Sequence, residues 1–505
     1  MKQGKAPRKR MAYGLALAMA FTPVSASAEA LIDSARAGDH DTALALITRG
    51  ADVHEAEGNG TTALHYAVHN GDIELVEKLI EAGANVNAMN SYGSSPMSEA
   101  ALLGDAGILK LLLDAGADPE AANADGQTAL MVIARSSNLE AARLLLKAGA
   151  DVNATEAWRG QNAVLWAAAQ SQPEMLELLL DSGGNPNSRS MLNERDRQIS
   201  QERRFQWRPA GGLTALMYAA REGCLDCVKL LVDAGAEIDQ GDAENVTPLL
   251  AAVINMHFDT AKYLVEVGAN VNKWSLRGEN PLYSAVDVNT IPHGGYPDRP
   301  STDTTTSLQM IEILLAAGAN PNLQLKLQPT YRHIKDDRGA DPMLGIGATP
   351  LLRAAKAFDI PAMQLLLKHG ALANLPNRNG ATPTMAAAGL GSTAIDTRGD
   401  YATPLAGQLA KAALEVMLAN GGDIHARDNS GKTALHGAAG WGWNEVVSYL
   451  AEQGADLNAT DNNGLTPLDA ALGKTGNGAG RGGGGTPRPE TAKLLQDLML
   501  QKGSQ

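Results

Sequence analysis

At 505 residues and 44% apolar content the chain exceeds one ordinary core and is too apolar to be disordered throughout. Aromatics make up 4%, with only 4 Phe, which excludes large ring-packed cores and favours helices packed through small residues. With 42 Lys and Arg against 56 Asp and Glu the chain is acidic, so bulk binding to nucleic acid or to an anionic membrane surface is disfavoured.

Residues 1–28 read as an export signal. Lys2, Lys5, Arg8, Lys9 and Arg10 form a basic start, Ala12 to Val24 is mostly apolar, and Ala26-Ser27-Ala28 offers small residues for cleavage before Glu29. The apolar run is short for a membrane span, and no later segment is apolar enough to insert after cleavage. No cysteine follows the run, so a bacterial lipoprotein is not indicated. Removing this leader leaves 37 basic against 56 acidic residues, a net charge of −19. The expected location is the periplasm, with secretion as the alternative.

From Thr62 onward the sequence repeats. "TALHYAVHNGDIELVEKLIEAGANVNA" aligns with the stretches from Ser95 and Thr128 at a spacing of 33 residues. The frame restarts at Asn162, Thr214, Thr247, Asn280, Thr349, Thr382, Thr433 and Thr466, and "RGADVH" (Arg49 to His54) implies a degenerate first copy from about Glu29, making about twelve units.

The repeated residues predict a helix pair. Thr247, Thr349, Thr382 and Thr466 are placed to cap a first helix, each followed by a Pro suited to its first turn. Ala67, Ala168, Ala220 and Ala439 fall where two helices approach closely. Leucine pairs such as Leu111-Leu112, Leu230-Leu231 and Leu366-Leu367 supply the buried stripe of a second helix. Gly83, Gly116, Gly149, Gly235, Gly268, Gly318, Gly370 and Gly454 then end that helix in a left-handed conformation.

Helix, turn, helix and projecting turn in 33 residues, with "TALHYA" and "KTALHGAA", resembles the ankyrin repeat. The resemblance covers nearly all of the chain beyond the leader. It implies an all-α repeat solenoid, an ankyrin-type stack of helix-turn-helix units with projecting β-turn fingers, whose inner helices and fingers line a concave protein-binding surface. It also implies a structural hydrogen-bonding role for His65 and His436. No single unit can bury its own apolar face, so stacking must do so.

The departures from the period carry further information. Repeats occupy 29–187, 212–322 and 348–472, separated by finger insertions at 188–211 and 323–347. Two more insertions, 287–306 and 389–406, fall between the helices of a unit and are expected on the edge opposite the fingers. A glycine-rich loop, 473–489, precedes a capping helix and tail, 490–505. Such loops are tolerated because closure cost grows slowly with length, yet binding loops are drawn from them.

The first finger insertion clusters Arg203, Arg204, Phe205, Trp207 and Arg208, and from Ser188 to Gly211 six Arg face three acidic residues, a local charge of +3. Arginine and aromatic side chains are enriched in interface hot spots. Contact with a protein partner, docking onto the acidic scaffold and a loose insert all remain open. Tyr331 and Arg332 mark the second finger as a weaker candidate.

Both cysteines occur in "REGCLDCVKLL", where Cys224 and Cys227 open a second helix. Residues three apart on a helix face one another, so a disulfide is within reach. A structural bridge, a reduced packing pair and a redox-active pair all stand. No phosphate-cradling glycine loop, H-E-x-x-H or G-x-S-x-G occurs, and no histidines have ligand spacing. The expectation is therefore a scaffold without enzyme activity, cofactor or metal. The alternatives are an accessory subunit of a periplasmic redox enzyme using the dithiol, and self-assembly into a homo-oligomer.

Overall fold

The computed structural model describes residues 24–193, 210–290, 302–327, 342–391, 405–474 and 485–503. Contacts divide the chain into two units. One contains the described residues up to Ile133 with Glu140–Asp151; the other contains Ala134–Leu139 and the described residues from Val152 onward.

In the first unit the helices are α1 (Val24–Ala37), α2 (His40–Thr48), α3 (Ala63–His69) and α4 (Ile73–Glu81), then α5 (Pro96–Leu103), α6 (Ala106–Asp114), α7 (Ala129–Ile133) and α8 (Leu139–Lys147), whose first residue belongs to the second unit. First helices stack on first helices in chain order, α1 on α3, α3 on α5 and α5 on α7, and α2 packs on α4 and α4 on α6. Helix α1 runs through the expected cleavage position, while residues 1–23 lie outside the described residues.

The second unit opens with α9 (Ala163–Ala169), α10 (Pro173–Asp181), α11 (Ala215–Glu222), α12 (Leu225–Asp233), α13 (Pro248–Ile254) and α14 (Phe258–Glu266). There follow α15 (Pro281–Asn289), α16 (Ser307–Ala316), α17 (Pro350–Lys356), α18 (Ile360–Lys368), α19 (Pro383–Ala387) and α20 (Ala406–Ala419). It closes with α21 (Ala434–Trp441), α22 (Asn444–Glu452), α23 (Pro467–Ala471) and α24 (Pro489–Gly503). The same alternation holds: odd-numbered helices from α9 to α23 form one layer and even-numbered helices from α10 to α24 the other. Each unit is thus an all-α repeat stack, and the described residues contain twelve consecutive helix pairs.

Local chemistry explains each boundary. The side chains of Thr247, Thr349, Thr382 and Thr466 each accept the N–H three residues on, with Pro next in sequence. Ala67, Ala168, Ala220 and Ala439 are completely buried, which lets the helices approach. Of each leucine pair one member fills the core: Leu112, Leu231 and Leu366. The helix-ending glycine is left-handed in every expected repeat, for instance φ +90° at Gly83 and +97° at Gly268.

An asparagine ladder ties neighbouring repeats. Asn87 Nδ2 donates to the carbonyl of Gly116 at 3.1 Å, and its Oδ1 accepts the N–H of Asp118 at 2.8 Å. Asn153, Asn187, Asn272, Asn322 and Asn374 do the same to the glycines Gly183, Gly235, Gly318, Gly370 and Gly421. These rungs occupy carbonyls that a helix end leaves unpaired. The ladder runs past both finger insertions and both inter-helix insertions in the second unit, so those segments add chain without breaking the stack.

Two expected boundaries change. Helix α15 continues to Asn289, so the first residues of the 287–306 insertion are helical, and α20 is 14 residues long where most second helices have nine. The far end of 287–306 meets the N-terminus of α14: Asp303 accepts the N–H of Phe258 at 2.6 Å, and Asp259 accepts those of Thr304 and Thr305. The 389–406 insertion does not begin on the edge opposite the fingers. Helix α19 stops after five residues, and Gly389 and Leu390 cross α21, where Gly437 has no Cβ to obstruct them. Trp441 Nε1 donates to the Gly389 carbonyl at 2.9 Å, fixing that path.

Candidate binding surface

The projecting turns form a second ladder along the finger edge. In six turns an Asn or Asp side chain (Asn90, Asn123, Asp242, Asn377, Asp428 or Asp461) accepts main-chain N–H groups two and four residues on, as Asp428 does from Ser430 and Lys432. Successive turns then bond through their backbones: Met191 N–H to the Arg159 carbonyl at 2.6 Å, Leu276 to Glu244 at 2.8 Å, and Lys326 to Arg277 at 2.8 Å.

This regular support holds apolar side chains out of the core. In the second unit Trp158 is 79% exposed, and Met191, Leu192, Trp274, Leu276 and Leu327 are each at least 40% exposed. Lys326 Nζ lies 4.1 Å from the centroid of the Trp274 ring, a cation–π contact at the same edge. In the first unit the finger residue Tyr92 is 70% exposed.

Trp158 is not among the residues picked out by composition, although the sequence contains its signal. The step from Thr128 to Asn162 is one residue longer than the period, and Glu156 stands where Asn90, Asn123 and Asp428 stand in other turns. Its buried carboxylate gathers the N–H groups of Trp158, Arg159 and Gln161 at 2.5–3.0 Å, and the wider turn lifts the indole into solvent.

The first finger insertion begins as a β-ribbon. Strand β1 (Leu192–Asn193) pairs antiparallel with β2 (Ala210–Gly211), Leu192 opposite Gly211. Arg189, one of the six arginines counted in this insertion, is turned back to the scaffold: Nε donates to the Gly212 carbonyl at 2.7 Å and Nη2 to that of Gly241 at 2.9 Å. Arg203, Arg204, Phe205, Trp207 and Arg208 lie outside the described residues, as do Tyr331 and Arg332.

The end of the second finger insertion meets the start of the 389–406 insertion. Met343, in a single 3-10 turn (Pro342–Leu344), packs with Leu390, Ala381 and Met385 in one apolar cluster, and Gly391 leaves room for the Met343 methyl. Beside this cluster is a cavity of about 420 Å³ with Asn379, Ser430 and Lys432 on its polar side.

The histidines act within the scaffold. His65 Nδ1 accepts the Thr62 N–H at 3.2 Å and Nε2 donates to the Ser94 carbonyl at 3.1 Å; His436 repeats this with Thr433 and Leu465. Burial holds both imidazoles below the ordinary histidine pKa, which fits a neutral ring with its proton on Nε2. Cys224 and Cys227 are joined by a disulfide, with Cα atoms 5.2 Å apart. Among the described residues no group of three or more His, Cys, Asp or Glu is placed to hold a metal, and no helix is long and apolar enough to cross a membrane.

Comparison with protein families returns the family described as ankyrin repeats (3 copies), matching residues 31–123, 98–190, 197–275, 216–293 and 405–479. No curated protein matches the chain.

Proposed function

Because the chain belongs to the ankyrin-repeat family, whose repeats generally mediate protein–protein interaction, we propose that it is a protein-binding scaffold that acts after export, in the periplasm or outside the cell. The observation that carries this reading is the exposed apolar series along the finger edge of the second unit, from Trp158 to Leu327. Exposed apolar side chains grouped on a rigid support favour a protein partner, and Trp is enriched among residues that dominate binding energy. Little ordering entropy is lost when such a support binds.

Charge narrows the partner. A net charge of −19 without the leader favours encounter with a basic protein. The +3 segment from Ser188 to Gly211 adds a local acidic contact on that partner, with Arg203, Arg204, Phe205, Trp207 and Arg208 as the principal contacts and Tyr331 and Arg332 as secondary ones.

The test is affinity capture from an envelope fraction with the chain from Glu29 onward. A Trp158→Ala/Trp274→Ala variant and a chain with 188–211 shortened to a standard turn serve as comparisons. Capture should fall at least about tenfold for the double tryptophan variant, the loss expected for truncating hot-spot residues. Equal recovery by all three proteins rejects this surface. Export is tested separately: the chain recovered from cells should begin at Glu29, and recovery of an intact Met1 rejects cleavage.

A further inference from the structure

The Cys224–Cys227 pair closes the turn between α11 and α12. Cys224 is the N-cap of α12, and its Sγ accepts the Cys227 N–H at 3.2 Å. Four other repeats fill this position with aspartate: the side chains of Asp39, Asp72, Asp105 and Asp359 accept the corresponding N–H. Cys224 therefore occupies a position that elsewhere in the molecule holds an anion, at the positive end of a nine-residue helix. The Cys227 N–H is aimed at the Cys224 sulfur as the corresponding N–H is aimed at the carboxylates of Asp72 and Asp105.

The bond is not needed to form the turn. Asp72 with Leu75 and Asp105 with Ile108 hold the same geometry through the cap alone. The two sulfurs also differ in access, since Cys224 is half-buried and Cys227 completely buried. Gly223 has φ +75°, and an added Cβ would overlap the His257 imidazole, which lies against the backbone one residue before Cys224.

We propose that Cys224 and Cys227 form a dithiol–disulfide exchange site that oxidises a dithiol on a protein substrate. A substrate thiolate attacks Cys224 Sγ, the accessible sulfur. The Cys224–Cys227 bond breaks and its electron pair leaves on Cys227 Sγ, which takes a proton from solvent. The second substrate thiol, as thiolate, attacks its neighbour in the mixed disulfide and expels Cys224 as a thiolate held at the cap. Two electrons pass from substrate to the pair; of the two protons the substrate thiols give up, one ends on Cys227 and one stays in solvent, and a small disulfide such as oxidised glutathione restores the bridge by the reverse exchange.

The proposal uses the binding surface only to deliver protein substrates, so small thiols test it independently of the scaffold reading. In the folded full chain, dithiothreitol should open the bridge. In Cys227→Ser, Cys224 should form a mixed disulfide with oxidised glutathione about tenfold faster at neutral pH than an ordinary thiol, because its sulfur sits at the helix cap and accepts a main-chain N–H there. Cys224→Ser should show no such reaction, because the remaining sulfur is buried. Cys224→Asp/Cys227→Leu rebuilds the cap of the Asp72 repeat and should keep the native thermal transition while losing exchange. A bridge that opens only on global unfolding, a Cys224 no faster than an ordinary thiol, or equal reactivity of the two single-cysteine chains overturns the proposal.

Discussion

The ring of His436 bridges two repeats: its Nε2 lies 3.1 Å from the carbonyl oxygen of Leu465, 29 residues further along the chain. His65 makes the equivalent bond to Ser94 in the first unit. Both rings bond as neutral donors through Nε2 while Nδ1 accepts, so protonation removes an acceptor and places a charge in a buried site.

Acid should therefore loosen both units. The folded pKa of each histidine lies below its ordinary value of 6.5, so the native state takes up fewer protons than the unfolded chain. The stabilisation is complete above that value and declines as pH falls below it. Hydrogen exchange at about pH 7 and about pH 5 should show faster opening around His65 and His436 in acid. His65→Gln/His436→Gln should flatten that change. A later loss is expected at Asp469, whose hydrogen bond from Lys474 lowers its pKa from 3.8 to about 2. Its contribution is present above 3.8 and disappears as pH falls through about 2.

Removing one ladder rung should cost stability in steps. Asn272 donates to the Gly318 carbonyl at 3.0 Å and accepts from Asn320 N–H at 2.7 Å. Asn272→Ala loses both bonds, a cost of about 1–2 kcal/mol because solvent can partly replace them. Asn272→Asp keeps the acceptor and should cost about half as much by chemical denaturation.

The turn between paired helices should respond oppositely at two positions. Ser171 holds φ +54° where Gly71 and Gly104 stand in other repeats. Ser171→Gly should stabilise by about 0.5–1 kcal/mol, since relief of left-handed strain outweighs the added freedom of the unfolded chain. Gly223→Ala should destabilise by more than about 1 kcal/mol, because the new Cβ meets the His257 ring as well as the left-handed backbone. Thermal melts of the two variants should shift in opposite directions.

A buried ion pair offers the largest effect. Arg353 on α17 is completely buried, with Nε 2.6 Å from Asp287 Oδ1 on α15. Asp287→Ala should destabilise by about 3–5 kcal/mol, because it takes the carboxylate from a guanidinium that cannot shed its charge. Hydrogen exchange should locate the loss in α15 and α17.

Helix pairing was legible in the sequence because its causes are local. A capping Thr with Pro after it, a buried Ala or Leu at helical spacing and a closing Gly act within one repeat, and their recurrence identifies the stack. The exposure of Trp158 was only half legible: the extra residue before Asn162 is visible, but the gathering of three N–H groups by Glu156 needs coordinates. The predicted contacts from Arg203 to Arg208 fall outside the described residues, so their place in binding belongs to the proposal.

The amino-acid sequence by itself determined the period, the residues that cap each first helix and the glycines that end each second one. Tertiary structure alone decided that Met343 meets Leu390, that His257 lies against Gly223, and that Arg353 reaches Asp287 across 66 residues. The physical reason is one of range. Backbone conformation follows from neighbouring residues, whereas loop paths are weakly constrained by closure entropy and are chosen by the surfaces they happen to cover.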